Sequence, residues 1–326
     1  MKTNPQVILN RLQSLACGLA MALAGSVALA AYPDKPVHLV LPFPAGAAAD
    51  TAMRVIATRL AEQWKQPVII DNKPGAPGFQ SVAMAPADGY TLILGAGSHI
   101  VTEPLIKTRL AYQPERDLTP VGMVLTNTPV FTATPSLGVK SLGDLLGLLK
   151  RKPDELNYSS GGVGSPNHLA MEAFQQATGT RLVNIPYKGG APSVNDLVAG
   201  HVQVGINAIP SVIQYIQVGK LQPLAVAAPR RHASLPQVPT FSELGVSGLD
   251  YEIWYGLFAP AKTPKALIQQ INQALQATLA DPGVVRQLKA QGAEPSPGSA
   301  EALAAYIRRD TEKWRQVIRL SGIRPE

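Results

Sequence analysis

His38-Leu-Val-Leu-Pro-Phe-Pro-Ala-Gly-Ala-Ala-Ala-Asp50 runs from a strand-like apolar segment, through a turn of small residues, into the start of a predicted helix. Leu156-Asn-Tyr-Ser-Ser-Gly-Gly-Val-Gly-Ser-Pro-Asn-His168 repeats this arrangement much later in the chain. Such a turn points free backbone N–H groups and the positive end of a helix dipole at one place. That place suits an anion. The two stretches therefore predict one small anionic ligand held between two lobes.

Strand and helix signals alternate on either side of these stretches. The alternation predicts an α/β fold with mainly parallel sheets. Val37–Leu41 is predicted to be a strand, and Thr51–Lys65 a helix because its apolar residues recur at helical spacing. The small-residue turns fall at the carboxyl ends of predicted strands, where open α/β sheets bind ligands.

The beginning of the chain has the pattern of a cleavable signal peptide spanning residues 1–30. Lys2 and Arg11 precede or flank an apolar stretch that ends at Ala28-Leu29-Ala30, a small-x-small cleavage pattern. A retained membrane anchor is the alternative. The signal predicts export to the periplasm.

Bulk composition narrows the function classes. The chain has 326 residues, enough for two lobes, and its single cysteine, Cys17, lies within the predicted signal. Cleavage would leave a chain that excludes disulfides, thiol catalysis and cysteine-based zinc sites. The net charge is +7, or +5 without Lys2 and Arg11 (7 − 2), which favours an anionic ligand only modestly. Nucleic acid is not an expected partner, because no basic cluster carries interleaved aromatic residues.

The two turns supply the first candidate ligand contacts. Small side chains at Gly46 and its alanine neighbours leave the backbone amides accessible. Asp50 is expected to cap the helix that follows, or to accept a hydrogen bond from a ligand amine or hydroxyl. In the second turn, the hydroxyls of Ser159 and Ser160 can donate to a carboxylate. Ser165 before Pro166 is typical of an N-cap followed by proline at the first helical position.

His168 allows several interpretations. It can contact the ligand or orient the second turn. With Ser165 it suggests a serine hydrolase, but the chain has no G-x-S-x-G elbow. With Glu172, four residues on, it has the spacing of two metal ligands, although a polar surface pair is the commoner reason for that spacing. We expect no catalytic residue, no metal and no cofactor.

Further candidates lie in other strand–helix turns. Tyr187 and Lys188 begin one of them, and Lys188 can supply a charged contact to a carboxylate. Ser98 and Asn207 each follow a predicted strand. Phe43 and Trp254 are candidates for apolar walls, with a buried core as the alternative for Trp254.

The chain also resembles a known family through a series of segments that occur in the same order. They are YPDKPVHLVLPFPAGAAADTAMR, VIIDNKPGA, ADGYTLILG, LNYSSGGVGSPNHLAMEAF, PYKGGAP, DLVAGHVQVGI, LAVAAPRR, LPQVPTFSELG and WYGLFAPAKTP. The resemblance is to the Bug (TctC-like) substrate-binding proteins of tripartite tricarboxylate transporters, and it covers essentially the whole chain after the predicted signal.

The resemblance implies a periplasmic-binding-protein fold of the Venus-flytrap, type II-like kind, with two α/β lobes joined by crossover strands around a ligand cleft. Lobe one is expected to comprise residues 32–133 and 251–326, and lobe two residues 134–250. The ligand contacts that it implies, together with those from the turns, are Phe43, Ala45, Gly46, Ala47, Asp50, Thr51, Ser98, Ser159, Ser160, Gly162, Gly164, Ser165, His168, Tyr187, Lys188, Gly189 and Asn207.

The chain departs from the family pattern at three places. Many members have Gly-Gly where this chain has Gly46-Ala47, and a later glycine-rich turn has Pro77 here. A frequent aspartate is replaced by Asn207, which makes an anion easier to accept and an ammonium harder.

The predicted function is that of a monomeric receptor, not an enzyme, that captures a small organic carboxylate and delivers it to a membrane permease. A secreted serine hydrolase and a ligand sensor that feeds a signalling partner are the alternatives. The sequence leaves open which carboxylate is bound.

Overall fold

The computed structural model describes residues 32–323, so the predicted signal peptide and Cys17 lie outside the described residues. The strands are β1 (Val37–Leu41), β2 (Val68–Asn72), β3 (Thr91–Ala96), β4 (Leu118–Asn127), β5 (Pro129–Ala133), β6 (Asn157–Ser160), β7 (Val183–Pro186), β8 (Val204–Ala208), β9 (Gln222–Val226), β10 (Ile253–Pro260) and β11 (Glu294–Pro295). The helices are α1 (Ala48–Trp64), α2 (Ala76–Ala83), α3 (Glu103–Ile106), α4 (Pro114–Asp117), α5 (Leu142–Arg151), α6 (Pro166–Thr178), α7 (Gly190–Ala199), α8 (Ile209–Gln217), α9 (Lys265–Ala280), α10 (Pro282–Ala290) and α11 (Ala300–Ser321).

The strands form two sheets, one in each lobe. The first has the order β11-β4-β10-β3-β1-β2 and the second the order β7-β6-β8-β5-β9. Parallel pairing joins β1 to β2 and β3, and β6 to β7 and β8. The remaining pairs are antiparallel. The prediction of mainly parallel sheets is therefore wrong, because β5 and β10, which bring the chain across from the opposite lobe, run against their neighbours.

The chain crosses between the lobes twice. The first crossing falls at Thr128, between the end of β4 and the start of β5, and the second leads from β9 to β10. Lobe one is predicted from the sequence to extend to residue 133. In the structure, Pro129–Ala133 pairs with β8 and β9, so this strand belongs to the second sheet.

Helix α1 starts earlier than predicted. Ala47 is extended (φ −64°, ψ 155°), and the helix begins at Ala48 and ends before Lys65, which is left-handed (φ 53°). Alanines have the highest helix propensity, so the helix extends back through them to the turn. Asp50 consequently lies inside the first turn and is not the N-cap, which corrects the capping prediction.

The final helix holds the two lobes together. Ser299 accepts a hydrogen bond from Ala302 N–H, as predicted for its N-cap. The buried face of α11 includes Leu303 and Trp314 and belongs to a hydrophobic core that continues into both sheets. On the second lobe, the Gln176 amide donates to the carbonyl of Val317 at 3.0 Å. Within residues 32–323 no helix combines the length and apolar character needed to cross a membrane.

The lobes also touch at two places beside the cleft. A Cβ on Gly164 would lie 1.9 Å from Ile106 Cδ1, and a Cβ on Gly292 would lie 2.5 Å from Pro210 Cβ. In addition, Thr102 Oγ1 donates to the carbonyl of Gly164 at 3.4 Å. Both glycines are thus in close contact with the opposite lobe.

Candidate functional site

A cavity of about 240 Å³ lies between the lobes, at the carboxyl ends of their parallel strands. The start of α1 lines it from the first lobe, and the starts of α6 and α8 line it from the second. The lining residues are Ala48, Ala49, Ala52, Leu125, Asn127, Pro166, Asn167, Ala208, Pro210, Ser211, Ile253, Tyr255, Gln291, Gly292 and Ala293. We call this space the cleft cavity.

The first turn is held in place by Asp50. Its carboxylate is 2% exposed and accepts the Gly46 N–H at 2.9 Å. It also accepts two hydrogen bonds from the Arg54 guanidinium, each at 3.0 Å, and one from the Asn72 amide at 2.9 Å. Gly46 is left-handed (φ +82°), which glycine adopts at little cost. Asp50 therefore stabilises the conformation of the turn through its hydrogen bond with Gly46.

The ionic state of Asp50 follows from these contacts. The Arg54 hydrogen bonds, assisted by those from Asn72 and Gly46, lower the pKa of Asp50 to about 2 against the opposing effect of burial. The carboxylate is charged at neutral pH, and all the contacts recorded for it lie within its own lobe. Because the Gly46 N–H is engaged, the amides left for a ligand are those of the first helical residues, which have no partner within the helix.

The other predicted residues of the first turn differ in position. Ala45 is exposed, and the Ala47 N–H donates to the carbonyl of Pro44 at 3.2 Å. The Thr51 hydroxyl donates back to the carbonyl of Ala47 at 3.2 Å, so the helix backbone already engages it.

The second turn repeats the arrangement on the other lobe. His168 Nδ1 accepts the Gly164 N–H at 2.9 Å, and Gly164 is left-handed (φ +72°). Ser165 is the N-cap, as predicted, because its hydroxyl accepts the backbone N–H of His168 at 3.3 Å. The Ser160 hydroxyl donates to the carbonyl of Gly162 at 3.4 Å.

His168 is a buried, neutral residue behind the turn. Its ring stacks on Tyr158, and Nε2 lies 3.7 Å from Glu172 Oε1, which accepts a hydrogen bond from the Tyr158 hydroxyl. Burial lowers the pKa of His168 to about 4. Since the imidazole faces Gly164 and Glu172, the described hydrogen bonds do not include the serine–imidazole bond of a hydrolase. No group of three potential metal ligands occurs among residues 32–323.

The third turn, Tyr187 to Gly189, does not line the cleft cavity. The Tyr187 hydroxyl donates to Asp196 Oδ2 at 2.7 Å, and burial together with this bond raises the pKa of Tyr187 to about 12. Lys188 is exposed, and among residues 32–323 it has no hydrogen-bond or ion-pair partner. The Gly189 N–H donates to the carbonyl of Gly161 at 3.2 Å, which joins this turn to the second.

Phe43 and Ser98 line a smaller space beside the cleft cavity. It measures about 110 Å³ and shares Pro166, Ile253 and Tyr255 with the cleft cavity. The Phe43 ring contacts the rings of His99 and Tyr255, with centroids 5.3 and 5.9 Å away. Trp254 is 1% exposed, which confirms its place in the core, and its indole N–H donates to Asp310.

Ser159 and Asn207 are buried on the second sheet. Ser159 is 0% and Asn207 2% exposed. Asn207 Oδ1 accepts from the Asn167 amide at 2.9 Å. Neither Ser159 Oγ nor Asn207 Nδ2 has a hydrogen-bond partner among the described residues.

None of the residues predicted as ligand contacts is among those that line the cleft cavity. The cavity is lined instead by residues such as Asn167, which comes shortly after the predicted N-cap Ser165. Its place at the start of a predicted helix is the one feature of the sequence that could have indicated a ligand contact. Tyr255 and Ile253 belong to the crossing strand β10, whose pattern indicates only a buried strand. Ser211 lies at the start of α8, one of the strand–helix turns that the sequence did show.

Comparisons with known proteins relate this chain to one family. A family model described as tripartite tricarboxylate transporter family receptor matches residues 52–323. BugT of Bordetella pertussis (strain Tohama I) is 34% identical over 312 residues, which cover 94% of this chain and 96% of BugT.

Solved structures share the architecture. Rpa4515 of R. palustris, solved with adipate, has a TM-score of 0.80 and 34% identity, and the match covers 90% of this chain and 100% of that chain. MatC of Rhodopseudomonas palustris, solved with malate, has a TM-score of 0.75 and 28% identity, with 88% and 100% covered. Periplasmic binding proteins thus share this two-lobe α/β fold, and the predicted fold class is confirmed. The chain belongs to the receptor family of the tripartite tricarboxylate transporters, whose members have a solute-binding role.

Proposed function

We propose that this protein is a periplasmic receptor that closes its lobes on a small organic carboxylate and delivers it to a tripartite tricarboxylate-type permease. The observation that carries the proposal is that the N-termini of α1 and α6 line one cavity from opposite lobes. The start of α1 supplies N–H groups without intrahelical partners; α6 supplies that of Asn167, since Pro166 has no N–H and the His168 N–H is bonded to Ser165. Both helices also direct the positive end of a dipole at the cavity. A carboxylate between them interacts with both lobes at once.

The surroundings of the cleft cavity support an anion. No charged side chain lines it among residues 32–323, whereas Glu252 and Asp310 line the smaller adjoining space. Asp50, the acidic group nearest the first turn in sequence, is already compensated by Arg54. The similar proteins Rpa4515 and MatC were solved with the carboxylates adipate and malate. Delivery to a permease follows from the family, and export follows from the predicted signal peptide.

A ligand that contacts both lobes favours the closed form, because it gains contacts there that the open form cannot offer. Ile106 against Gly164, and Pro210 against Gly292, then pack only when the lobes are closed. A permease that recognises the closed form would distinguish loaded from empty receptor.

The first experiment is a thermal-shift screen of the purified protein against small carboxylates. Ligand at about 100 times its Kd stabilises the folded protein by about 2.7 kcal/mol. We expect a clear rise in Tm for carboxylates and none for the corresponding amines. A screen in which no carboxylate shifts Tm would contradict the proposal.

One substitution tests the helix N-terminus of α1 directly. Proline is tolerated at the first helical position, and the extended Ala47 suits the residue before it. Ala48→Pro thus removes one amide N–H from the cleft cavity with the helix intact. We expect roughly tenfold or greater loss of carboxylate affinity, since hydrogen bonds to charged groups contribute about 1.5–3 kcal/mol. Ala300→Pro, the same change at the first position of α11, is the control and should leave affinity unchanged.

A further inference from the structure

A groove on the first lobe, which we call the basic groove, lies between α11 and residues 100–116. It measures about 770 Å³. Its floor is apolar, and the residues that form it belong to, or pack against, one hydrophobic core: Ile100, Val101, Leu105, Leu110 and Tyr112. All of its lining residues within 32–323 belong to the first lobe, and none of them lines the cleft cavity. The basic groove is therefore a site separate from the ligand cleft.

The rim of the basic groove carries positive charge. Among residues 32–323, Glu115 is the only acidic residue that lines the groove, whereas four basic side chains line it: Lys107, Arg109, Arg116 and Arg315. Arg308 and Arg319 lie seven residues before and four residues after Arg315, so they continue the same stripe of α11. Both are exposed. The positive charge thus extends along the helix beyond the groove itself.

This charge is available to an incoming carboxylate. Three of the basic side chains have a carboxylate partner on their own segment, in the pairs Lys107–Glu103, Arg116–Asp117 and Arg315–Glu312. Each basic member is about half exposed or more, and such pairs contribute little to stability. Arg109 is exposed and has no ion-pair or hydrogen-bond partner within residues 32–323. A carboxylate can therefore bind Arg109 directly and displace the partners of the others at small cost.

One wall of the basic groove also meets the second lobe. The π-helical turn Ser98–Thr102 is followed directly by α3. Ser98 lines the small space beside the cleft cavity, and Thr102 Oγ1 donates to the carbonyl of Gly164 on the other lobe. Ile106, at the end of α3, lies against the same glycine. Since residues 100, 101 and 105 of this stretch line the groove, its shape depends on whether the lobes are closed.

A row of packed rings connects the same two places. The ring centroids of Phe43, beside the cleft cavity, and His99 are 5.3 Å apart, and those of His99 and Phe79 are 5.0 Å apart. Phe79 stacks on Tyr112 at 4.4 Å, and Tyr112 belongs to the floor of the basic groove. His99, Phe79 and Tyr112 are buried. Because a close-packed interior transmits displacements, a movement beside the cleft reaches the groove.

We propose that the basic groove is the surface by which the closed receptor docks on its permease, and that it takes an acidic, amphipathic segment of that partner. This inference rests on the proposed function, since it assumes a permease that recognises the closed form. The basic rim complements carboxylates, and the apolar floor complements the other face of such a segment. Carboxylate ligand and permease then favour the same form, so each raises the affinity of the other by the same factor.

The test locks the lobes closed without any carboxylate. A Cβ on Gly164 would lie 3.9 Å from the Cβ of Ile106, close to the mean of about 3.8 Å in disulfides. Ile106→Cys combined with Gly164→Cys, in protein freed of residues 1–30 and so of Cys17, gives an oxidised, closed form and a reduced form that can open. The probe is a fluorescent peptide of about 14 residues, long enough for a marginal helix, with leucine on one face and glutamate on the other. Fluorescence anisotropy measures its binding.

The oxidised protein is expected to bind the glutamate peptide roughly tenfold more tightly than the reduced protein. Arg109→Glu in the oxidised protein should remove most of this binding. Arg230→Glu is the matched control, because Arg230 is also exposed and without a partner within residues 32–323 but lies on the second lobe. A peptide with lysine in place of glutamate should bind neither form. Protein without the cysteines should show the same contrast between Arg109→Glu and Arg230→Glu, so the test does not depend on the folding of the cysteine variant.

Equal affinities of the oxidised and reduced forms for the glutamate peptide, or equal losses in the two arginine variants, would overturn docking at the basic groove. Binding to phosphatidylglycerol vesicles in place of the peptide would overturn it too, as would dimerisation in sedimentation velocity that Arg109→Glu abolishes, since each identifies another occupant. These assays contain no carboxylate ligand. Their failure therefore leaves the proposed function standing, and the thermal-shift screen tests that function separately.

Discussion

At the scale of single residues, the two turns share one device. In each, a buried side chain accepts the N–H of a left-handed glycine four residues earlier: Asp50 from Gly46, and His168 from Gly164. One acceptor is a carboxylate paired with Arg54 and the other a neutral imidazole. Both fix the turn from within its own lobe. In the proposed anion site, backbone amides contact the ligand and these two side chains hold the turns in position.

His168 makes the second turn sensitive to acid. Only the unprotonated Nδ1 accepts the Gly164 N–H, and burial lowers the pKa of His168 from 6.5 to about 4. A depressed histidine pKa stabilises the fold fully above the unfolded value, and this stabilisation is lost as pH falls from 6.5 towards 4. The groups that face the ring are Glu172 and Tyr158.

We therefore predict that the unfolding free energy of the His168→Gln variant depends less on pH in the acid range than that of unsubstituted protein. Glutamine keeps an acceptor for Gly164 but does not titrate. Between about pH 7 and pH 4, the unfolding free energy should fall by about 3 kcal/mol more in unsubstituted protein than in the variant, since each pKa unit corresponds to about 1.4 kcal/mol. Urea unfolding at several pH values measures this, and Glu172 is common to both proteins. Parallel profiles would show that His168 does not titrate in this way.

At the scale of elements, helix α6 lies between two glycines with different roles, Gly179 after its end and Gly164 before its start. Gly179 is the left-handed C-cap (φ +63°), and a Cβ there would meet nothing within 4 Å. Gly164, before the N-cap, is also left-handed, but a Cβ would collide with Ile106 of the other lobe. The first glycine satisfies backbone geometry alone. The second also permits the lobes to meet.

We predict that Gly164→Ala impairs closure. Both alanine substitutions should cost on the order of 1 kcal/mol of stability from backbone strain. Only Gly164→Ala should also weaken ligand binding, by about tenfold or more, because the methyl group keeps α3 away from α6. Gly179→Ala is the matched control. Combining Gly164→Ala with Ile106→Ala should restore part of the affinity, and titration calorimetry measures all of these variants. If both single variants bind like unsubstituted protein, the contact does not contribute to closure.

At the scale of the whole molecule, two crossings and one long helix connect the lobes. The crossing at Thr128 and the one before β10 are the covalent links, and α11 packs against β4 of the first sheet and against α6 of the second lobe. We expect the lobes to open by rotation at the two crossings. This arrangement suits hinge motion about the strands.

Ligand-induced closure can be measured between labels on the two lobes. Met84 in the first lobe is 87% exposed and Val218 in the second is 69% exposed. Cysteines at these positions can carry spin labels in a protein that has been freed of residues 1–30. We predict that a bound carboxylate narrows the distribution of distances between the labels. A distribution that does not change on saturation would exclude closure as the consequence of binding.

Much of the local structure could be read from the sequence. The caps at Ser165 and Ser299 are confirmed, because a hydroxyl that accepts an N–H three residues later depends on short-range geometry alone. The strand of Val37–Leu41 and the turns at strand ends also follow from patterns within a few residues. The family resemblance added the two-lobe fold, since many weak segments in one order are jointly specific.

Contacts between distant segments could not be read in this way. The sequence placed Asn207 and Tyr187 in the right turns, but the Asn167–Asn207 bond and the Tyr187–Asp196 bond, which direct these side chains, depend on the packing of sheet and helices. Likewise, the antiparallel entry of β10 and the contact of Ile106 with Gly164 join segments far apart in the chain. Hydrophobic periodicity and capping depend on residues that are close together along the chain. Cavities and the contacts between the lobes form only when separate elements pack together. The sequence alone thus specified the two turns that are proposed to bind an anion, and the packing of the two lobes specified which residues face the cleft cavity.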